Sequence, residues 1–149
     1  FSQPIPIDEN IWGEEWVINA EGKVMEKKKY LLTFPLSITV EELFQLVVIQ
    51  GGIIIPSHID RNTYSIIGVL GFIPPNLTFP VLEVSPALSI PQACWKFSLN
   101  NYRFVRFSDA HSLAEVGLVY TEFRMKGRSW DEFKKAVYQI EGRDLFPVN

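Results

Sequence analysis

Hydrophobic residues follow two patterns after residue 37, and each predicts a different element. Leu43, Leu46 and Val47 recur at helical spacing. They follow the sequence Thr-Val-Glu-Glu at 39–42, in which a hydroxyl and a carboxylate can satisfy each other's free amides in a capping box. Residues 52–56 form a short apolar run, which is typical of a strand buried on both faces. The pattern predicts a helix followed by a buried strand.

The same alternation continues along the rest of the chain. Further strands are predicted at 81–85, 103–107 and 119–125, and further helices at 62–70, from 89, from 112 and from 129 to Gly142. Such alternation favours parallel strands joined by right-handed crossovers, in an open α/β sheet or a barrel. We therefore predict an α/β fold built of alternating β-α units over 37–149.

The first 36 residues differ from this pattern because they lack helical periodicity. Two short apolar segments flank residues 19–22, where Gly22 can take a positive φ. This predicts an irregular, hairpin-like excursion over 1–36 within a single domain that covers 1–149. The three lysines at 27–29 are interpreted as a solvated edge.

Composition narrows the possible classes of protein. The chain has 149 residues, of which 47% are hydrophobic and 21% charged, as in ordinary globular domains. The net charge is −3 without a basic stripe, so we expect no duplex nucleic acid partner. No apolar run reaches the roughly 20 residues that a membrane-spanning helix needs. Cys94 is the single cysteine, and we interpret it as a small buried hydrophobe, compatible with a reducing, cytoplasmic location.

The candidate chemistry lies at the ends of two predicted strands. His58 follows the apolar run at 52–56, and Asp109 and His111 follow the predicted strand at 103–107. Ligand sites in α/β folds lie at the carboxyl ends of the strands. Imidazole and carboxylate ligands together suit zinc, manganese or iron. These residues could hold one metal ion or two adjacent ones. From the residues alone, a histidine at a strand end more often has a hydrogen-bonded structural role, and a third converging ligand raises the metal site at most to equal weight.

Residues 51–61, Gly-Gly-Ile-Ile-Ile-Pro-Ser-His-Ile-Asp-Arg, resemble the third motif of the polymerase-and-histidinol-phosphatase (PHP) metal-dependent phosphoesterases. Residues 64–74 are similar to one bacterial branch of that family. The segments at 81–85 and 107–111 then follow in the expected order and spacing. The resemblance covers nearly the whole chain.

The resemblance implies a distorted seven-stranded (β/α) barrel with its metal site at the carboxyl ends of the strands. It implies that His58, Asp109 and His111 are ligands of divalent metal ions (Zn, Mn or Fe). It further implies hydrolysis of a phosphate ester by a metal-activated water, with a phosphorylated small molecule or a nucleotide as substrate.

Three further residues have two interpretations each. Arg61 could bind substrate phosphate through its planar fork or form a salt bridge. Asp60 could orient Arg61 or, as we favour, cap the following helix. Glu83 lies on a buried strand and needs a partner. It could orient a metal ligand or, as we favour, form a structural ion pair.

The chain also departs from the family. It lacks the His-x-His and Asp-His motifs and the Glu ligand of the amino-terminal part, and no histidine precedes His58. Together with Phe1 in place of Met, this leads us to expect the carboxyl-terminal portion of a PHP domain, inactive by itself. We expect self-association or a missing upstream segment. A non-catalytic binding or scaffold module on a degenerate PHP fold is the alternative.

Overall fold

A computed structural model of the chain describes residues 5–32 and 36–148. The chain divides into two compact units, 1–43 and 44–149. The first contains a short helix and a hairpin, and the second carries all the candidate site residues.

The first unit contains the predicted hairpin. Helix α1 (Glu9–Trp12) precedes β1 (Trp16–Ile18) and β2 (Val24–Lys27), which pair antiparallel. The side chain of Asn19 accepts hydrogen bonds from the amides of Glu21 and Lys23, which closes the turn. Helix α1 was not predicted, because a single turn is too short to show periodicity. Its first turn is capped by the side chain of Asp8.

Helix α2 (Val40–Ile49) begins where the capping box predicts. The amide of Glu42 donates to the Thr39 hydroxyl at 3.1 Å, and the amide of Thr39 donates to the Glu42 carboxylate at 2.7 Å. The two bonds satisfy amides that the helix itself leaves unpaired. The residue boundary between the two units falls within this helix.

The second unit alternates helices and strands. Its elements are α3 (Ile66–Leu70), β3 (Leu82–Glu83), α4 (Ile90–Phe97), β4 (Phe104–Val105), a 3₁₀ turn (Leu113–Glu115), β5 (Tyr120–Arg124), α5 (Trp130–Tyr138) and β6 (Asp144–Val148). Strands β3 and β4 pair in parallel, and β5 pairs with β6 in antiparallel register. The mixed α/β alternation is therefore confirmed.

The core of the second unit joins the two strand pairs through α5. One cluster of buried side chains in this core consists of Val81, Val105, Val137 and Leu145. Four partly buried residues pack against them: Ile53, Ile55, Phe123 and Phe133. Burial of each large apolar side chain contributes about 1.5–3 kcal/mol. This core fixes the strand ends from which the site residues emerge.

The strand pairing is less extensive than the sequence predicts. In the described parts of the chain, the strands form three separate two-stranded sheets and no closed barrel. Strand β6 was not predicted, since Pro147 interrupts a short segment after Gly142. Its antiparallel pairing with β5 shows that the unit is not built of parallel strands alone.

The predicted strand at 52–56 is wrong, because these residues form no strand in the structure. They are partly or fully buried, as the apolar run predicts, and the segment lies beside β3, where the amide of Glu83 donates to the Pro56 carbonyl at 3.0 Å. Proline has no N–H to return such a bond, which prevents a regular ladder from continuing. The run is apolar because it is packed against the core.

The helices are shorter than predicted. Helix α3 has five residues and begins only after Ser65, whereas the prediction started at 62. Helix α5 ends at Tyr138 because Gln139 takes the left-handed conformation at φ 55°, before Gly142 is reached. In the described ranges, no helix is long and apolar enough to cross a membrane. Cys94, on α4, is half-buried rather than buried.

Candidate functional site

His58 occupies an inserted position beside β3. The amide of Glu83 donates to Pro56 O, and the carbonyl of Glu83 accepts from Ile59 N, both at 3.0 Å. In a regular parallel ladder the two partners of one residue are two positions apart. Here they are three apart, so the segment carries an extra residue, as in a β-bulge. His58 also has a positive φ of 46°.

The imidazole of His58 lies between two carboxylates. Its Nδ1 is 3.3 Å from Glu83 Oε1, and its Nε2 is 3.4 Å from Asp109 Oδ2. The side chain is 16% exposed. Nδ1 is buried and makes no hydrogen bond in the described part of the chain. The structure thus brings together His58, Glu83 and Asp109 from three separate segments.

Asp109 is held by Arg61 as well as by His58. Nη2 of Arg61 donates to Asp109 Oδ2 at 2.8 Å. This hydrogen bond is the main reason that the pKa of Asp109 lies below its usual range, and the nearby His58 adds to the effect. Of the two roles expected for Arg61, the salt bridge is therefore observed. Its guanidinium remains 46% exposed, so it can also reach a ligand.

His111 lies in the same loop as Asp109, but its contacts are within that loop. Its Nδ1 is 2.7 Å from the carbonyl oxygen of Asp109. Its backbone amide donates to Glu115 at 2.7 Å. Hydrogen bonding of Nδ1–H to a carbonyl leaves the lone pair on Nε2, which is how metal-binding histidines are commonly oriented. The described contacts place His111 beside Asp109 and do not join it to His58.

Glu83 is almost completely buried, with 6% of its surface exposed. Burial raises the pKa of its carboxyl group, while His58 and the Ser57 hydroxyl lower it. The burial effect is the largest, because a charged carboxylate loses its hydration. The predicted partner is His58, whose Nδ1 lies 3.3 Å from Glu83 Oε1 in a close contact that is not a hydrogen bond. This contact is compatible with either of the roles expected for Glu83.

Asp60 has a different partner from those we expected. Its Oδ1 accepts from the amide of Ser85 at 2.8 Å, and its Oδ2 accepts from the Ser85 hydroxyl at 2.6 Å. Both residues are buried. The helix cap belongs to Ser65, whose hydroxyl accepts from Gly68 N at 2.9 Å. Asp60 therefore joins the segment after His58 to the end of β3.

A cleft of about 740 Å³ opens beside these residues. Arg61, Asp109 and His111 line it together with Asp60 and Lys96. Its remaining lining residues are Asn62, Thr63, Ser85, Pro86, Ala87, Leu88, Ser108, Glu115 and Leu118. Ligand sites for small molecules have volumes of about 300–1,000 Å³. The cleft is large enough for a phosphorylated metabolite.

Three residues at this site were not predicted: Ser85, Lys96 and Arg106. Arg106 is 3% exposed, and its Nη2 donates to the carbonyls of Ser85 and Leu88, which line the cleft. An arginine at the end of a predicted buried strand was the available signal, since a buried charge requires partners. No sequence feature indicated that Lys96 lines the cleft, because its place there depends on how helix α4 is oriented in the fold.

The donor set agrees only in part with a divalent metal. His58 Nε2 and Asp109 Oδ2 face each other, and imidazole with carboxylate is the chemistry that zinc, manganese and iron accept. Among the described residues, however, no three histidine, cysteine or acidic side chains are arranged to hold one ion. His58 and Asp109 fit as part of a ligand set. The chain supplies donors of the right kind without a complete coordination shell.

Comparison with known protein families gives a match for one segment of the chain. Residues 101–139 match a family model described as PHP-associated. The matched segment is 39 of the 149 residues. It contains Asp109 and His111 with β4, β5 and α5, and the match is consistent with a carboxyl-terminal portion of a PHP domain, which confirms the resemblance. No curated protein and no solved structure matches the chain.

Proposed function

We propose that the chain is a portion of a PHP-type metal-dependent phosphoesterase, whose activity belongs to the complete domain. The contact between His58 Nε2 and Asp109 Oδ2 at 3.4 Å carries the proposal. The two side chains come from distant parts of the sequence and meet at the edge of the cleft that Asp109 lines. The PHP-associated match of the segment that holds Asp109 supports the same family context.

The chemistry follows from the residue types. His58 and Asp109 would hold a Zn, Mn or Fe ion together with ligands from the rest of the domain, with His111 as a further candidate. When bound, the ion supplies an activated water and neutralises charge on the phosphate. Arg61 lies within the cleft and offers a planar fork of donors to the phosphate oxygens. Lys96 adds a second cation to the same lining.

The test compares the 149-residue chain with the complete protein that carries it. We expect the complete protein to contain a divalent metal and to release phosphate from phosphate esters, and the isolated chain to do neither. Asp109→Ala in the complete protein should abolish both, whereas Glu122→Ala, an exposed acidic control, should change neither. A folded complete protein that binds no Zn, Mn or Fe contradicts the proposal.

A non-catalytic binding or scaffold module is the second candidate. The ion pair between Arg61 and Asp109 favours it, because this pair already satisfies the oxygen that faces His58. In that case His58→Ala and His111→Ala would lower stability or partner binding of the complete protein without loss of turnover. Loss of phosphate release in either variant, with the fold intact, contradicts this second function.

A further inference from the structure

His58 adopts a backbone conformation that requires support. Its φ of 46° lies in the left-handed region, which residues other than glycine adopt infrequently. Such conformations cost about 1–3 kcal/mol and persist where the surroundings fix them, often at functional sites. On one side of His58, Pro56 O accepts from Glu83 N; on the other, Ile59 N donates to Glu83 O. These two bonds do not fix the direction in which the chain continues after Ile59.

The Asp60–Ser85 pair fixes that direction. The Asp60 carboxylate uses both oxygens on one residue, bonding the Ser85 amide at 2.8 Å and the Ser85 hydroxyl at 2.6 Å. Two bonds to one residue determine orientation as well as distance. Asp60 and Ser85 are only 9% and 2% exposed, so water competes little for either bond.

Ser85 is itself fixed to the strands that form the site. It lies two positions after Glu83, at the end of β3, and its carbonyl accepts from Arg106 Nη2 at 3.2 Å. Asp60 therefore ties the residues after His58 to the segment that directly follows β3, the strand that places Glu83 beside the imidazole. Asp60–Ser85 is thus a third connection between the residues around His58 and those around Glu83, beside the two backbone bonds.

We propose that Asp60 is a positioning residue, which acts through Ser85 to hold His58 in its left-handed conformation between Glu83 and Asp109. The structural part of this inference stands on the geometry alone. Its consequence for metal binding and turnover rests on the proposed function, and the two parts are tested by separate measurements.

The structural test is amide hydrogen exchange on the complete protein that carries the chain, in Asp60→Asn and in Ser85→Ala. The reporter is Ile59 N–H, bonded to Glu83 O, and the internal reference is Val84 N–H, bonded to Val105 O at 3.1 Å. We expect the protection of Ile59 to fall about tenfold relative to Val84 in both variants, the effect of losing one buried hydrogen bond to a charged group.

Glu132→Gln is the matched control, since it removes the charge of a different hydrogen-bonded carboxylate. It should lower the protection of Ile59 and Val84 by the same factor. The double variant Asp60→Asn/Ser85→Ala should lose no more Ile59 protection than the more affected single variant, because the two side chains act as one unit. Equal loss at Ile59 and Val84 in Asp60→Asn overturns the positioning role.

The functional test uses the complete protein, with Mn²⁺ and a simple aryl phosphate as probes. We expect Asp60→Asn to weaken Mn²⁺ binding by about 10–100-fold, as is typical when the support of a metal ligand is removed. The Glu132→Gln control should bind Mn²⁺ as the parent does. Unchanged Mn²⁺ affinity in Asp60→Asn contradicts the functional consequence. A complete protein that neither binds Mn²⁺ nor releases phosphate refutes the proposed function. In that case the difference in hydrogen-exchange protection between Ile59 and Val84 still tests the positioning role of Asp60.

Discussion

At the scale of single residues, the site is a row of ionisable side chains in contact, in which each group restrains the next. Arg61 donates to Asp109, Asp109 faces His58, and His58 faces the buried Glu83. Of these four, Arg61 is the most exposed. It is therefore the residue that can exchange its partner for a substrate anion at the least cost in desolvation.

Arg61→Ala is expected to raise the KM of the complete protein for a phosphate ester by more than about tenfold, because a charge-assisted hydrogen bond contributes roughly 1.5–3 kcal/mol. Arg61→Lys should recover part of the loss, since lysine keeps the charge without the planar fork. Steady-state kinetics measure both. Arg128→Ala, which removes an exposed arginine outside the cleft lining, is the control. The same KM in Arg61→Ala and the parent contradicts a role in phosphate binding.

Glu132 and Arg143 form a second charged pair, remote from the cleft lining. Glu132 accepts from Arg143 Nη2 at 2.6 Å and Nε at 2.8 Å, and from the amide of Lys126 at 2.7 Å. The hydrogen bonds from Arg143, followed by that from Lys126, lower the pKa of Glu132 from 4.5 to about 2. A lowered folded-state pKa stabilises the fold above the unfolded-state pKa.

This pair therefore makes stability sensitive to acid. Its contribution is complete above pH 4.5 and is lost as the pH falls through the folded pKa of about 2. Glu132→Gln should be less stable than the parent at pH 7, and the difference should shrink below pH 4.5. Urea unfolding at neutral and acidic pH measures it, with Glu122→Gln as control. A difference that is constant with pH contradicts the assignment.

At the scale of elements, α5 connects the two strand pairs of the second unit. Val137 on α5 is completely buried and packs in one cluster with Val105 of β4 and Leu145 of β6. The carbonyl of Val137 also accepts from Arg103 Nη1 at 2.9 Å, and Arg103 precedes β4. The position of β4, and of the Asp109 loop that follows it, thus depends on this helix.

Val137→Ala should reduce the free energy of unfolding by roughly 2 kcal/mol, from lost burial and the cavity that remains. Val116→Ala is the matched control because Val116 is 67% exposed, and it should change stability by less than about 0.5 kcal/mol. Urea unfolding of the chain compares the two. Equal effects in the two variants contradict the packing role of α5.

At the scale of the whole molecule, the second unit leaves large apolar side chains exposed. Strands β3 and β4 form a two-stranded parallel sheet, a kind of sheet that normally lies within a larger one. Trp95, Leu113 and Val69 are 85%, 94% and 74% exposed. A small parallel sheet and exposed apolar side chains of this kind favour association with another chain or segment.

We therefore expect the isolated chain to self-associate, or to require an upstream segment for stability. Sedimentation velocity across a range of concentrations should show a mass above 17.1 kDa that increases with concentration. Adding the upstream part of the protein should give a single species. A concentration-independent monomer with cooperative unfolding contradicts this expectation.

The sequence by itself determined the elements whose signals are local. The capping box at Thr39 and Glu42, the turn at 19–22 and the start of a helix at 89 depend on groups within a few residues of each other, and all three are present in the structure. The PHP-type resemblance was also available from the sequence, because the motif at 107–111 carries both residue type and spacing.

Only the tertiary structure decided what those residues contact. The run at 52–56 is apolar because of the core around it, and Pro56 then prevents the predicted ladder. The joining of His58 to Glu83 and Asp109, and of Asp60 to Ser85, depends on the packing of separate segments. Such contacts link residues far apart in the chain, and no local pattern of hydrophobicity or capping encodes them.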